Sequence, residues 1–238
     1  MKLDLLAIAA HPDDVELTCG GTLIKMARKG FVVGIMDLTG GEMGTRGSSE
    51  TRRKEAAAAA RLLGIAHREN LGLPDAHLET RMDYKLAIAR RIRELRPRTV
   101  ILPYWEGRHP DHYTAAQLGY EGSFLAGLKR LNIEGEAFRP FKVLYSTTYD
   151  RSVRPTFVVD ISGEFARKTK AILAYQTQFQ PKKRERSQVY IPLDRLVDEV
   201  HMVARFYGDM VGVQYAEPFL TKEVMQADDV VNLPVRSI

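Results

Sequence analysis

From residue 3 to residue 128, short apolar runs alternate with longer helical stretches, and that alternation leaves few architectures open. The runs 3–9, 31–38 and 99–102 are bounded by Gly, Pro or a charged residue and read as buried strands, with a shorter strand at 67–71. Between them helices are predicted over Thr18–Arg28, from Ser49 or Thr51 to Leu63, over Asp83–Leu95 and over Tyr113–Leu128. Gly20-Gly21 would allow close packing near the start of the first helix. Strand–helix alternation of this kind predicts an α/β fold: a mostly parallel, doubly wound sheet with helices on both faces. Beyond it, strands are expected at Lys142–Ser146 and Thr156–Asp160, and helices at Gly163–Tyr175 and Leu193–Gly208. Residues 211–238 read as short pieces with a frayed end. No repeat or linker interrupts the chain, so residues 1–238 are expected to form a single domain.

Two strands end in similar polar sequences. The first runs into Ala10-His11-Pro12-Asp13-Asp14, and the strand at 99–102 leads to His109-Pro110-Asp111-His112. In an open α/β sheet, ligands bind at the carboxyl ends of the strands. A parallel sheet would therefore bring three His and three Asp around one crevice. Imidazole and carboxylate suit Zn²⁺, and a catalytic zinc has three protein ligands and one open position. Such a metal acidifies water and polarises a carbonyl, a carboxylate can take a proton, and a histidine can stabilise an oxyanion. Together these groups suffice for hydrolysis of an amide. A single His-Pro-Asp would pass as an ordinary turn or helix cap. Two of them at two strand ends do not.

The other candidates have simpler readings. His67 and His77 have no acidic partner at ligand spacing, His201 lies in mid-helix as a packing or surface residue, and Cys19 is a small buried hydrophobe. Thr39-Gly40-Gly41 lacks the Lys-Ser/Thr of a phosphate loop. The lone cysteine excludes an intrachain disulfide and fits a reducing cytoplasm. Asp4 breaks the N-terminal apolar run, so a leader and a membrane span are not expected, and the location expected is cytoplasmic. The net charge is +5, but the one dense basic run, Lys182–Arg186, carries no aromatics to stack bases. A small anionic substrate accounts for that charge better than nucleic acid.

The paired motifs resemble those of the PIG-L/LmbE-like zinc-dependent N-deacetylases, which act on N-acetylglucosamine derivatives. Arg52 with Glu55-Ala56, Leu73-Pro74-Asp75 and Pro103-Tyr104 also match, so the likeness runs nearly end to end. Asp14-Val15-Glu16, residues 174–179 and residues 212–217 are similar to the bacillithiol-biosynthesis branch. That branch removes acetate from N-acetylglucosaminyl malate. The resemblance implies a Rossmann-like fold with one Zn²⁺ per chain, Fe²⁺ accepting similar ligands, held by His11, Asp14 and His112. It implies Asp13 as general base, and His109 as the cationic partner of the tetrahedral intermediate, oriented by Asp111. It makes Arg52 and Arg108 candidates for the malyl carboxylates, with Gln178 and Glu217 as further pocket residues, and a homo-oligomer, the hexamer included, as the assembly. The residues alone do not say which of Asp13 and Asp14 binds metal. The alternatives are a deacetylase of another conjugate (a thiol conjugate, an inositol glycoside or a chitooligosaccharide) and a non-catalytic nucleotide-binding protein. The latter would need a Gly-rich turn where His11-Pro12-Asp13-Asp14 stands.

Overall fold

The computed structural model describes residues 1–147, 153–179 and 195–235. In chain order the first half comprises β1 (Leu5–Ala9), α1 (Asp14–Thr18), α2 (Gly20–Arg28), β2 (Val33–Thr39), α3 (Ser49–Leu63), β3 (His67–Leu73), α4 (Met82–Leu95), β4 (Thr99–Pro103) and α5 (Pro110–Ala126). The second half adds β5 (Lys142–Ser146), β6 (Phe157–Asp160), α6 (Phe165–Leu173), α7 (Gln176–Phe179), α8 (Leu196–Asp209) and β7 (Ala216–Leu220).

Seven strands form one sheet in the order β3-β2-β1-β4-β5-β7-β6. β1 to β5 are mutually parallel. β1 is buried on both faces. Leu6 and Ile8 join a core with Met36, Ile88, Ile92 and Leu102, under α4 and α5. Leu5, Ala7 and Ala9 join the opposite core with Leu23, Ile35, Ala59 and Ala171, under α2, α3 and α6. Period-two alternation thus feeds two apolar layers, each large side chain contributing roughly 1.5–3 kcal/mol on burial. β1 is followed by β2 on one side and flanked by β4 on the other. The chain reverses direction across the sheet here, which opens a crevice at the carboxyl ends of β1 and β4. Among the described residues no helix is long and apolar enough to cross a membrane.

Three local readings differ from the structure. The first helix is broken at Cys19 into α1 and α2. Gly21 presses on Ile161, where a Cβ would fall 2.8 Å from Ile161 Cδ1. The carboxylate of Glu217 takes the amides of Gly21 and Thr22 at 2.8 and 2.7 Å, capping α2 from outside its own segment. The helix expected from Tyr113 starts at Pro110, with His109 as its cap. Pro110 fits there because the first helical position needs no amide hydrogen. The third difference is β7, which lies in the supposedly irregular tail. It pairs antiparallel with both β5 and β6, and all five of its residues are buried. Residues 182–186 and the start of the helix expected from Leu193 lie outside the described residues.

Candidate active site

Past β1 the chain turns sharply. The carbonyl of Ala10 accepts the amide and hydroxyl of Thr39 at 2.9 and 3.0 Å, tying the strand end to β2. Asp13 then adopts φ 114°, in the left-handed range that costs a non-glycine residue about 1–3 kcal/mol. Arg52, on α3, stabilises this turn. Its Nη2 donates to Asp13 Oδ2 at 2.9 Å and to the Pro12 carbonyl at 2.7 Å, and its Nη1 donates to the Gly41 carbonyl at 3.0 Å. Gly41 is itself left-handed at φ 67°, and a Cβ there would lie 1.9 Å from Arg52 Nη1. Gly41→Ala should therefore push the guanidinium off Asp13. We expect kcat to fall about 10²-fold, since misplacing a catalytic group by an ångström has that effect, and stability to fall by about 1–3 kcal/mol, the cost of a non-glycine residue at this φ. Wild-type turnover in this variant would separate Arg52 from the reaction.

Asp14 starts α1 and faces the opposite way. Its Oδ2 accepts the His11 amide at 3.0 Å and lies 3.3 Å from His11 Nδ1. Its Oδ1 lies 3.2 Å from His112 Nε2. One carboxylate thus spans two imidazoles. Burial alone would raise its pKa, but His112 and His11 overcome this and hold it well below the usual range. Asp13, one residue earlier, is pushed up to about 7, because burial outweighs the opposing pull of Arg52. The adjacent acids are therefore split by their environments into an ionised bridge and a group poised to exchange a proton.

The remaining members arrive from α5 and from the turn after β3. His11 Nε2 lies 3.0 Å from Asp75 Oδ1 and 3.3 Å from Asp111 Oδ2. Burial opposes protonation of His11, yet the carboxylates of Asp111, Asp14 and Asp75 raise its pKa to about 12. Three acids about one imidazole demand a cation, and the donor set suits a metal. Ligand atoms of His11, His109 and His112, and those of His11, Asp75 and Asp111, lie within 4.8 Å of one another. His109 stacks on His112 with ring centroids 4.5 Å apart.

Asp75 belongs to the matching Leu73-Pro74-Asp75 motif, but that match does not disclose its role in the site. The chain has three Pro-Asp dipeptides, at 12–13, 74–75 and 110–111, and the structure gathers all three aspartates here. That repetition was a usable signal. A second polar group is buried next to α1. Arg68 holds Asp37 through two bonds of 2.8 and 3.0 Å and Glu16 at 2.5 Å, and Tyr175 donates to Glu16 at 3.1 Å. This buried network ties α1 to β2 and β3.

Other assignments need correction. The carboxylate of Asp111 lies on His11, not His109. His109 Nδ1 instead accepts the backbone amide of Asp111 at 3.3 Å. The pKa of His109 is lowered, chiefly by burial and then by His112 and His11, which runs against the cationic role expected of it. Arg52 lines the cavity, but its Nη groups are bonded to Asp13 and two carbonyls, so it does not present a free carboxylate clamp. Glu217 is 1% exposed and caps α2 while pairing with Lys168 Nζ at 2.6 Å, away from the cavity. Gln178 Nε2 donates to the Arg46 carbonyl at 2.7 Å, pinning the 41–48 loop to α7 rather than lining the cavity. Arg108 does line it. Burial pushes the Cys19 thiol up to about 12, so that it stays protonated. His77 Nδ1 bonds the Asp75 carbonyl and His201 bonds Tyr215, both outside the cavity wall.

The cavity measures about 590 Å³ and is lined at one end by the His and Asp groups and elsewhere by Tyr104, Glu106, Leu17 and Phe179. A volume of this order suits a small ligand such as a mono- or disaccharide. Residues 6–122, which carry every His and Asp clustered at the end of the cavity, match the model of the PIG-L family, described as GlcNAc-PI de-N-acetylase. The diacetylchitobiose deacetylase of Thermococcus kodakarensis is 30% identical over 226 residues, covering 90% of this chain and 80% of that one. A probable N-acetyl-α-D-glucosaminyl L-malate deacetylase of Bacillus anthracis is 27% identical over 203 residues, covering 78% and 86%. Among solved structures, the conserved protein TT1542 from Thermus thermophilus superposes with a TM-score of 0.85 at 40% identity, over 94% of this chain and 97% of that one. The chain belongs to the PIG-L family and is an amide hydrolase of the de-N-acetylase kind.

Proposed function

We propose that the protein is a zinc-dependent deacetylase that removes acetate from the N-acetylglucosamine unit of N-acetylglucosaminyl malate. The observation that carries the chemistry is the split between neighbouring acids. Asp14 bridges two histidines, whereas Asp13 is held apart from them by Arg52. On this reading His11, Asp14 and His112 hold the zinc ion. Bound there, zinc supplies Lewis acidity toward water and the amide carbonyl. Asp13 takes the proton of the attacking water and, with its pKa raised toward neutrality, can pass it to the departing amine. His109 accepts the Asp111 amide on Nδ1, which leaves its ring proton on Nε2. From there it donates to the oxyanion as a neutral hydrogen-bond donor.

The choice of malyl aglycone rests on Arg108 at the cavity wall and on the sequence features shared with the bacillithiol branch. A chitooligosaccharide is the second reading, favoured by the higher identity to the diacetylchitobiose enzyme. Rates on the two substrates decide between them. We expect kcat/KM on the malyl glycoside to exceed that on diacetylchitobiose by more than tenfold. Arg108→Gln should raise KM for the malyl compound about 10–100-fold, the worth of one charge-assisted bond. KM for diacetylchitobiose should stay unchanged. Equal rates, or equal losses on both substrates, would favour the second reading.

A further inference from the structure

We infer that Asp75, together with Asp111, is a positioning residue that fixes the ring of His11 and so sets how tightly the metal is held. The inference rests on the reading of His11 as a ligand.

The imidazole of His11 has two nitrogens in different surroundings. Nδ1 faces Asp14 Oδ2 at 3.3 Å, on the side shared with His112. Nε2 faces Asp75 Oδ1 at 3.0 Å and Asp111 Oδ2 at 3.3 Å. Two carboxylates around Nε2 keep the ring proton there and leave Nδ1 to the metal. Both acids are themselves held from behind. Asp75 Oδ2 accepts the Met43 amide at 2.8 Å. The single amide of Ala76 reaches Asp75 Oδ1 and Asp111 Oδ2, each at 2.9 Å. Ala76 takes a left-handed φ of 59° to do so. The Asp75 amide in turn donates to Glu42 at 2.8 Å, so the turn after β3 and the loop after β2 grip each other. The Asp75 side chain is only 6% exposed, which shields this hydrogen bond from water. A ligating histidine that donates its second nitrogen to a fixed carboxylate is oriented and made more basic by it.

The test is zinc affinity of the full chain, measured by chelator competition, with the absorption spectrum of the cobalt-substituted protein as a second readout. Asp75→Asn should raise the zinc Kd about 10–100-fold, the usual effect of losing such a partner. The cobalt spectrum should keep its shape, because the ligand set does not change. Asp111→Asn reaches the same nitrogen from α5 and should act in the same direction, so a folding failure of one variant leaves the other to decide. Wild-type affinity in both variants would overturn the inference. A cobalt spectrum that loses a ligand would overturn it too, because Asp75 would then bind the metal itself. A wild-type chain that binds no zinc would instead remove the reading on which the inference stands.

Discussion

Asp13→Asn is expected to lower kcat about 10³-fold while the protein keeps its metal, because a positioned general base contributes roughly 10²–10⁴-fold. Asn matches Asp in size, can accept the Arg52 hydrogen bond, and tolerates the left-handed backbone at this position better than most residues. Fold and metal site should therefore persist, and the lost rate reports the proton transfer itself. Acetate release by enzyme of measured metal content is the measurement. Turnover within tenfold of wild type would remove Asp13 from the mechanism, and concurrent loss of metal would reassign it as a ligand.

The largest stability effect should come from Glu217→Ala, at a residue remote from the chemistry. Glu217 and Lys168 are each 2% exposed at the side chain and 2.6 Å apart. Lys168 also donates to the Leu17 carbonyl at 2.9 Å, and Glu217 takes the Thr22 hydroxyl at 2.6 Å besides its two amides. Removing the carboxylate would leave a buried ammonium without its counter-charge and two helix-end amides without acceptors. Breaking a buried pair in this way costs about 3–5 kcal/mol. A denaturant titration should show a loss of that size, whereas KM of the folded enzyme should not move. A rise in KM without loss of stability would return Glu217 to the substrate pocket.

The sequence was most legible where one periodicity dominates. β1 and β4 are continuous apolar runs, and the Gly and Pro residues around the strands mark their ends, so the parallel sheet and its crevice followed from alternation, whereas the strand order came only from the structure. The two His-Pro-Asp motifs located the site for the same reason: each stands at a strand's carboxyl end. β7 was hidden because Pro218 and Glu217 argue locally against a strand. Its burial between β5 and β6 is a tertiary effect. Side-chain roles were hidden for a related reason. Arg52 looked like an anion clamp and Glu217 like a pocket acid, because either would serve if exposed. Partners 39 and 49 residues away in the chain engage them instead. The resemblance assigned Asp111 to His109, whereas the fold turns its carboxylate toward His11, 100 residues earlier.

The position of β7 has a consequence for the order in which the molecule can form. Every His and Asp of the site lies between residues 11 and 112, so the reactive groups leave the ribosome early. β6 is made long before β7, its sheet partner among the described residues, and β5 meanwhile presents a free edge. Only the last described strand closes that edge, and with it comes the carboxylate that caps α2 and neutralises Lys168. A nascent chain therefore carries its chemistry before its stability. During that interval it exposes the kind of unpaired strand from which aggregation starts.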